Sequence, residues 1–196
     1  IDTKEDDLMP LDKNDYVIFS LPFAGNGHYP PNWEYVLEEC LKKKVPVMID
    51  CAWFGTCFDM NLDFNHPAIT EVSFSLSKGL GVGKVRSGVR YSNFEHDEFP
   101  IRHQNNSIYL PIMALQVGMY MMEKIPVDKI PNRYRDLHKK FCHVIAIQNS
   151  SKCIHIATPS RDDHRWEGFQ VGSKYYKLGV KEAMKAVYAG KIDLIQ

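Results

Sequence analysis

Runs of apolar residues at two different periods mark out the secondary structure of this chain. Residues 16–21 (YVIFSL) form an apolar run of strand length. Residues 45–50 (VPVMID) form a second, apolar nearly throughout, as a parallel strand covered on both faces would be. Residues 71–76 alternate polar and apolar, and 88–92 (GVRYS) read as another strand. Between the first two runs the period changes. Trp33, Val36, Leu37, Cys40 and Leu41 recur at i, i+3, i+4, i+7 and i+8, the stripe of one helix face. That helix follows Pro31 and runs into Lys42, Lys43 and Lys44, in keeping with the helix dipole. Strand, helix and strand make a βαβ unit, with a right-handed crossover expected.

The second half is less regular. Residues 107–122 are apolar almost all round and predict a helix buried in the core. The run is short for a bilayer span, and its methionines also suit a subunit interface. Pro126 and Pro131 bracket a break, after which Tyr134, Leu137, Phe141, Val144 and Ile145 mark a second long helix from Ile130. Residues 154–158 and 175–180 read as strands, and 181–189 as a closing helix. The expected fold class is α/β: a mostly parallel sheet with flanking helices, then a small α+β C-terminal region. The expected division falls between residues 1–126 and 127–196.

Composition narrows the class. A chain of 196 residues with 44% hydrophobic and 24% charged side chains is ordinary for a soluble globular protein and long enough for a sizeable core. Lys plus Arg and Asp plus Glu balance at 24 each, so charge favours neither nucleic acid nor an anionic membrane. Cys40, Cys51, Cys57, Cys142 and Cys153 are odd in number and lack C-x-x-C spacing. They read as reduced thiols of a cytoplasmic protein, and His143 and His155 beside two of them read as structural. The opening IDTKEDDL is acidic and polar, unlike a signal peptide. With no initiator methionine, a processed chain or a fragment is expected.

The chemistry concentrates in residues 73–92, SFSLSKGLGVGKVRSGVRYS. A strand leads into Lys78, then Gly79, Gly81, Gly83 and Arg86, and a second strand leads away. A lysine at a strand's carboxyl end stands where open α/β sheets bind ligands, although a lone turn lysine is more often simply solvated. Two glycine-loop templates fail here. A Walker loop needs G-x-x-x-x-G-K-[ST], but Val85 follows Gly83-Lys84 and Lys78 holds the first glycine's place. A dinucleotide fingerprint needs a glycine where Lys84 stands. A generic nucleotide-binding domain is disfavoured accordingly.

Ser75-Leu76-Ser77-Lys78, with Arg86 eight residues on, resembles the S-x-S-K lysine motif of the fold type I pyridoxal-phosphate enzymes, the aminotransferase superfamily. Residues 45–52 (VPVMIDCA) resemble that family's second marker, an apolar strand ending in an aspartate. The resemblance covers residues 15–92 well and the remainder loosely. It implies pyridoxal 5'-phosphate (PLP) as cofactor and Lys78 as the primary amine that condenses with its aldehyde and moves a proton at the substrate α-carbon. It further implies Asp50 as partner of the pyridine nitrogen, and Ser75, Ser77 and Arg86 as phosphate ligands. Trp53 stands where the family commonly has tyrosine; it can donate a hydrogen bond but neither ionise nor accept one. Leu21-Pro22-Phe23 replaces the family's asparagine-bearing turn, leaving Asn26 as the nearest substitute. For a substrate carboxylate the candidates are Lys177, Arg161 and Arg165.

Two functions follow as expectations. The first is a PLP-dependent enzyme, an aminotransferase foremost, acting on an amino acid or amine and a keto acid. The second is a catalytically silent remnant or half-enzyme that serves as a binding or assembly partner. Its motivation is the family's N-terminal half, which this chain lacks, together with Leu21-Pro22 and Trp53. Either way the resemblance implies a homodimer, or a partner chain that completes the site.

Overall fold

The computed structural model describes residues 10–84, 86–93, 111–148, 151–171 and 175–189. Four strands form the main sheet: β1 (Val17–Ser20), β2 (Val47–Cys51), β3 (Ile69–Ser75) and β4 (Gly88–Ser92), in that spatial order. β1, β2 and β3 are parallel, and β4 returns antiparallel beside β3. Helix α1 (Trp33–Lys43) is the crossover between β1 and β2. The chain thus has a mixed α/β fold whose sheet is mostly parallel.

The α1 stripe explains where the core lies. Val36, Leu37 and Cys40 pack on Val47, Ile49 and Cys51 of β2, with Ile69 and Val72 of β3 and the half-buried Phe54, Phe64 and Phe74 around them. The opposite sheet face is different. Register pairs Ile18 with Met48, Ser20 with Asp50, Asp50 with Ser73 and Ser73 with Arg90, which puts these residues on one face. Ile18 there is 62% exposed, and Met48 and Asp50 are half-buried. The continuous apolarity of 45–50 predicts two covered faces; within the described residues one is covered well and the other only in part. Glu71 is the buried charge on this side, with Arg90 Nη1 3.7 Å away and the Ser92 hydroxyl donating to it at 3.4 Å.

Lys44 closes α1 in the left-handed region, φ 56°, where its N–H reaches the Cys40 and Leu41 carbonyls. A side chain there opposes the conformation that glycine adopts freely. Lys44→Gly is expected to stabilise the chain by about 1 kcal/mol, read as a rise in denaturation midpoint. An unchanged or lower midpoint would refute the assignment of strain.

Eight further elements complete the α content and the small sheets. They are α2 (Leu76–Gly79), α3 (Ile112–Lys124), α4 (Lys129–Val144), α5 (Lys181–Tyr188) and the short strands β5 (Ile156–Ala157), β6 (Gln170–Val171), β7 (Tyr175–Tyr176) and β8 (Leu178–Gly179). The strand expected at 175–180 is divided in two: β7 pairs with β6, and β8 with β5. A second core joins Cys142, Ile147, Ala157, Leu178, Val180 and Met184, with Leu137 and Phe141 of α4 against it.

α3 corrects an expectation. Of the helix expected at 107–122, residues 107–110 lie outside the described residues, and the rest is not a core helix. Met113 is 77% and Met119 64% exposed, and only Ala114 and Gly118 of the helix are buried. Gly118 meets Leu76 and Ser87 closely, so the helix docks through its small residues and turns its large apolar ones outward. No helix among the described residues is long and apolar enough to cross a bilayer.

His138 of α4 is buried completely. Its Nε2–H donates to the Ile156 carbonyl at 2.9 Å, its ring meets Phe58 edge-on, and Nδ1 has no partner. Burial holds its pKa below the ordinary histidine value, and burial followed by the Lys152 charge does the same for His28. Both rings are therefore preferentially neutral in the folded chain. Their contribution to stability is present above the unfolded histidine pKa, about 6.5, and is lost as pH falls below it toward the depressed folded values. The thermal midpoint is expected to drop between pH 7 and pH 5; a flat profile across that window would contradict it.

Candidate active site

Two turns at the carboxyl ends of adjacent parallel strands build the site. β2 leads to Trp53 and a 3-10 turn, Phe54–Thr56, and β3 leads into α2, which carries Ser77 and Lys78. The turns touch backbone to backbone. A methyl group on Gly55 would come within 2.8 Å of Gly79 Cα, and one on Gly79 within 3.0 Å of Gly55 Cα. Only glycine at both positions permits that approach, and it sets Lys78 Nζ 4.9 Å from the centroid of the Trp53 ring.

Two C-terminal residues converge on the same indole. Lys177 Nζ lies 5.9 Å from its centroid while donating to the Ala24 carbonyl at 3.0 Å. The His155 ring stands edge-on to it, 6.1 Å away at 76°. Ser77 has a local task as well: its hydroxyl accepts the Ser87 N–H at 3.2 Å and donates to the Ser87 carbonyl. That contact holds the segment carrying Arg86 against α2.

The cavity so formed has a volume of about 800 Å³. Trp53, Ser77, Lys78 and Arg86 line it on one side, and Lys129, Arg133, Tyr134, His155 and Lys181 on the other. Lys78, Arg86, Lys129, Arg133 and Lys181 are cationic, and no Asp or Glu is among the described residues that line it. A cavity of this sign attracts anions, and the arginines offer planar donor pairs to phosphate or carboxylate.

Of the six residues assigned from the motifs, Trp53, Ser77, Lys78 and Arg86 share this cavity, whereas Asp50 and Ser75 do not line it. Asp50 sits near the end of β2, half-buried, its carboxylate accepting the Ala52 N–H at 2.9 Å. Ser75 ends β3 and borders a smaller pocket with Phe74 and Leu76. Among the carboxylate candidates Lys177 lies at the indole. Arg165 instead grips Asp163 at 2.7 and 2.6 Å, and none of the three candidates is among the residues lining the cavity. Asn26 is a turn residue whose side chain accepts the His28 N–H.

Sequence reasoning missed five of the named wall residues, Lys129 and Lys181 among them. His155 was expected to be structural, but it stands on the cavity wall. Arg133 and Tyr134 carry no motif, and Tyr134 registers in the sequence only as one position of an apolar stripe. The donor set suits the aldehyde and phosphate of PLP, with a primary amine, a flat aromatic beside it and cations for a phosphate, whereas an acid for the pyridine nitrogen is not among the described residues lining the same space.

No family model matches the sequence, and no curated protein matches it either. Solved structures do. An aminotransferase from Staphylococcus aureus superposes with a TM-score of 0.63 at 15% identity, over 91% of this chain and 57% of its own. The histidinol-phosphate aminotransferase of Clostridium acetobutylicum gives 0.60 at 13%, over 90% and 64%. A PLP-bound C-S lyase from Staphylococcus hominis gives 0.60 at 10%, over 91% and 56%. The chain shares the fold of these solved structures. It spans less than two thirds of the length of each of these three proteins.

Proposed function

We propose that the chain is the catalytic part of a PLP-dependent enzyme, an aminotransferase acting on an amino acid or amine and a keto acid. The observation that carries this reading is Lys78 Nζ over Trp53 inside a cavity lined by cations and free of acids among its described residues. When bound, PLP supplies an electron sink for a carbanion at the substrate's amino-bearing carbon. Lys78 is the amine that takes the cofactor's aldehyde and, once displaced, carries the proton to and from that carbon. Arg86, with Ser77 behind it, would bind the phosphate, and Trp53 would bound the ring on one side. Asp50 is assigned to the pyridine nitrogen, and Ser75 to the phosphate, on the motif resemblance. Lys177 is the foremost candidate for the substrate carboxylate.

The closing test is chemical. The purified chain is incubated with PLP, reduced with borohydride and digested. A pyridoxyl group on Lys78 supports the reading; one elsewhere, or none, refutes it.

A second reading is a silent remnant that assembles with other chains. It draws support from Asp50 and Ser75 standing outside the cavity lining. Tight stoichiometric PLP binding would count against it. For the catalytic reading, a homodimer or a partner chain is proposed to complete the site, with mass in solution with and without PLP as its measurement. All five cysteines are free thiols, which supports a reducing, cytoplasmic setting.

A further inference from the structure

Cys57 directly follows the 3-10 turn that carries Trp53's segment, and Cys153 directly precedes Ile154 and His155. They face one another as an antiparallel bridge pair. The bonds around them define its type: the Phe58 N–H donates to the Lys152 carbonyl at 3.1 Å and the Ile154 N–H to the Thr56 carbonyl at 3.0 Å. These flank the cysteines rather than join them, so the pair is of the narrow, non-hydrogen-bonded kind. Such pairs hold their Cα atoms about 4.5 Å apart, within the about 4.4–6.8 Å that a disulfide spans.

The side chains agree with the backbone. One hydroxyl touches both thiols: Thr56 Oγ1 lies 3.3 Å from Cys153 Sγ and 3.8 Å from Cys57 Sγ. Cys57 is 4% exposed and Cys153 0%. The neighbouring Cys57 thiol first, then the Thr56 hydroxyl and the His155 and Ile156 N–H groups, lower the Cys153 thiol below its ordinary value against the opposing effect of burial. By contrast, burial pushes Cys51 up to about 12 and Cys142 up to about 11. A thiolate is the reactive form, so the five cysteines are not equivalent.

We propose that Cys57 and Cys153 are a redox site that closes to a reversible disulfide on meeting a peroxide, clamping the Trp53 turn to the His155 segment. The reaction balances with hydrogen peroxide as oxidant. The Cys153 thiolate attacks one peroxide oxygen, the O–O bond breaks, and hydroxide leaves with the Cys57 side supplying the proton for water. The Cys57 thiolate so formed attacks the sulfur of the Cys153 sulfenic acid, an S–S bond forms, and the hydroxide that leaves takes up the proton Cys153 released on ionising, giving a second water. Two thiols and one peroxide give one disulfide and two waters. Thr56, in contact with Cys153 Sγ, is one of the cavity's lining residues, so the pair lies one side chain behind the wall and a peroxide must pass Thr56 to reach it. The clamp would join two segments of the cavity wall, one from each half of the sequence. Reduction by a small dithiol reverses it.

The test uses the whole chain without cofactor, so that it stands apart from the proposed activity. Reduced protein is treated with hydrogen peroxide, remaining thiols are alkylated after unfolding, and a non-reducing digest is mapped. A single crosslinked peptide joining Cys57 to Cys153, reversed by dithiothreitol, is expected. So is a rise of several degrees in thermal midpoint on oxidation, absent from Cys57→Ser. The proposal is overturned by a sulfinic acid on Cys153 beside a free Cys57, by a crosslink to another cysteine, or by all five thiols surviving.

Discussion

Lys78→Ala is expected to abolish the borohydride-trapped PLP adduct entirely while leaving the chain folded. The lysine is half-buried, and its recorded interaction is the contact of Nζ with the Trp53 face. A partly exposed cation–π contact is worth about 0.5–1 kcal/mol, a small part of a domain's stability. The covalent chemistry has no such margin, because a primary amine must condense with the aldehyde and alanine has none. Lys78→Arg separates the two roles: it keeps a positive charge over the indole and removes the reactive amine. Both variants should show a melting midpoint close to that of the parent and no label at position 78. Trapping that persists on another lysine in either variant would move the assignment to that residue.

The second large effect belongs to a residue with no functional group. Gly55→Ala places a methyl 2.8 Å from Gly79 Cα, and both atoms are tied to backbone that cannot rotate aside. The turns must separate, at a cost of about 1–3 kcal/mol, the usual range for overpacking. Separating them also moves Lys78 away from Trp53, so both denaturation midpoint and rate of PLP trapping should fall. Gly79→Ala, at 3.0 Å, should show the same effects to a lesser degree. Gly83→Ala is the control: no atom lies within 4 Å of its added methyl, and a change within about 0.5 kcal/mol is expected. If Gly55→Ala behaves like Gly83→Ala, the glycine contact does not position the lysine.

The pattern of apolar residues revealed those parts of the fold whose partners are near in sequence. The α1 stripe and the runs at β1 and β2 could be read because a helix or strand imposes its period on adjacent residues. The lysine motif was legible for a similar reason: Ser77, Lys78 and Arg86 lie on one strand-turn-strand unit. Contacts between distant segments left no such trace. Nothing at Lys177 signals that its amine meets Trp53, and nothing at Cys153 signals Cys57 opposite. α3 failed for a different reason. An all-round apolar helix has no marked face, so its pattern could not say that Gly118 points inward and Met113 and Met119 outward.

The bond from Lys177 to the Ala24 carbonyl makes the loop after β1 a silent participant in ligand affinity. An anion drawn toward Lys177 competes with that carbonyl for the same ammonium group. Binding strength then includes the free energy of releasing the loop, and by reciprocity a bound anion loosens Ala24 by the same amount. Substitutions that stiffen or slacken residues 23–28 should tune affinity without touching the ligand. Amide hydrogen exchange in that loop becomes a remote gauge of whether Lys177 holds an anion.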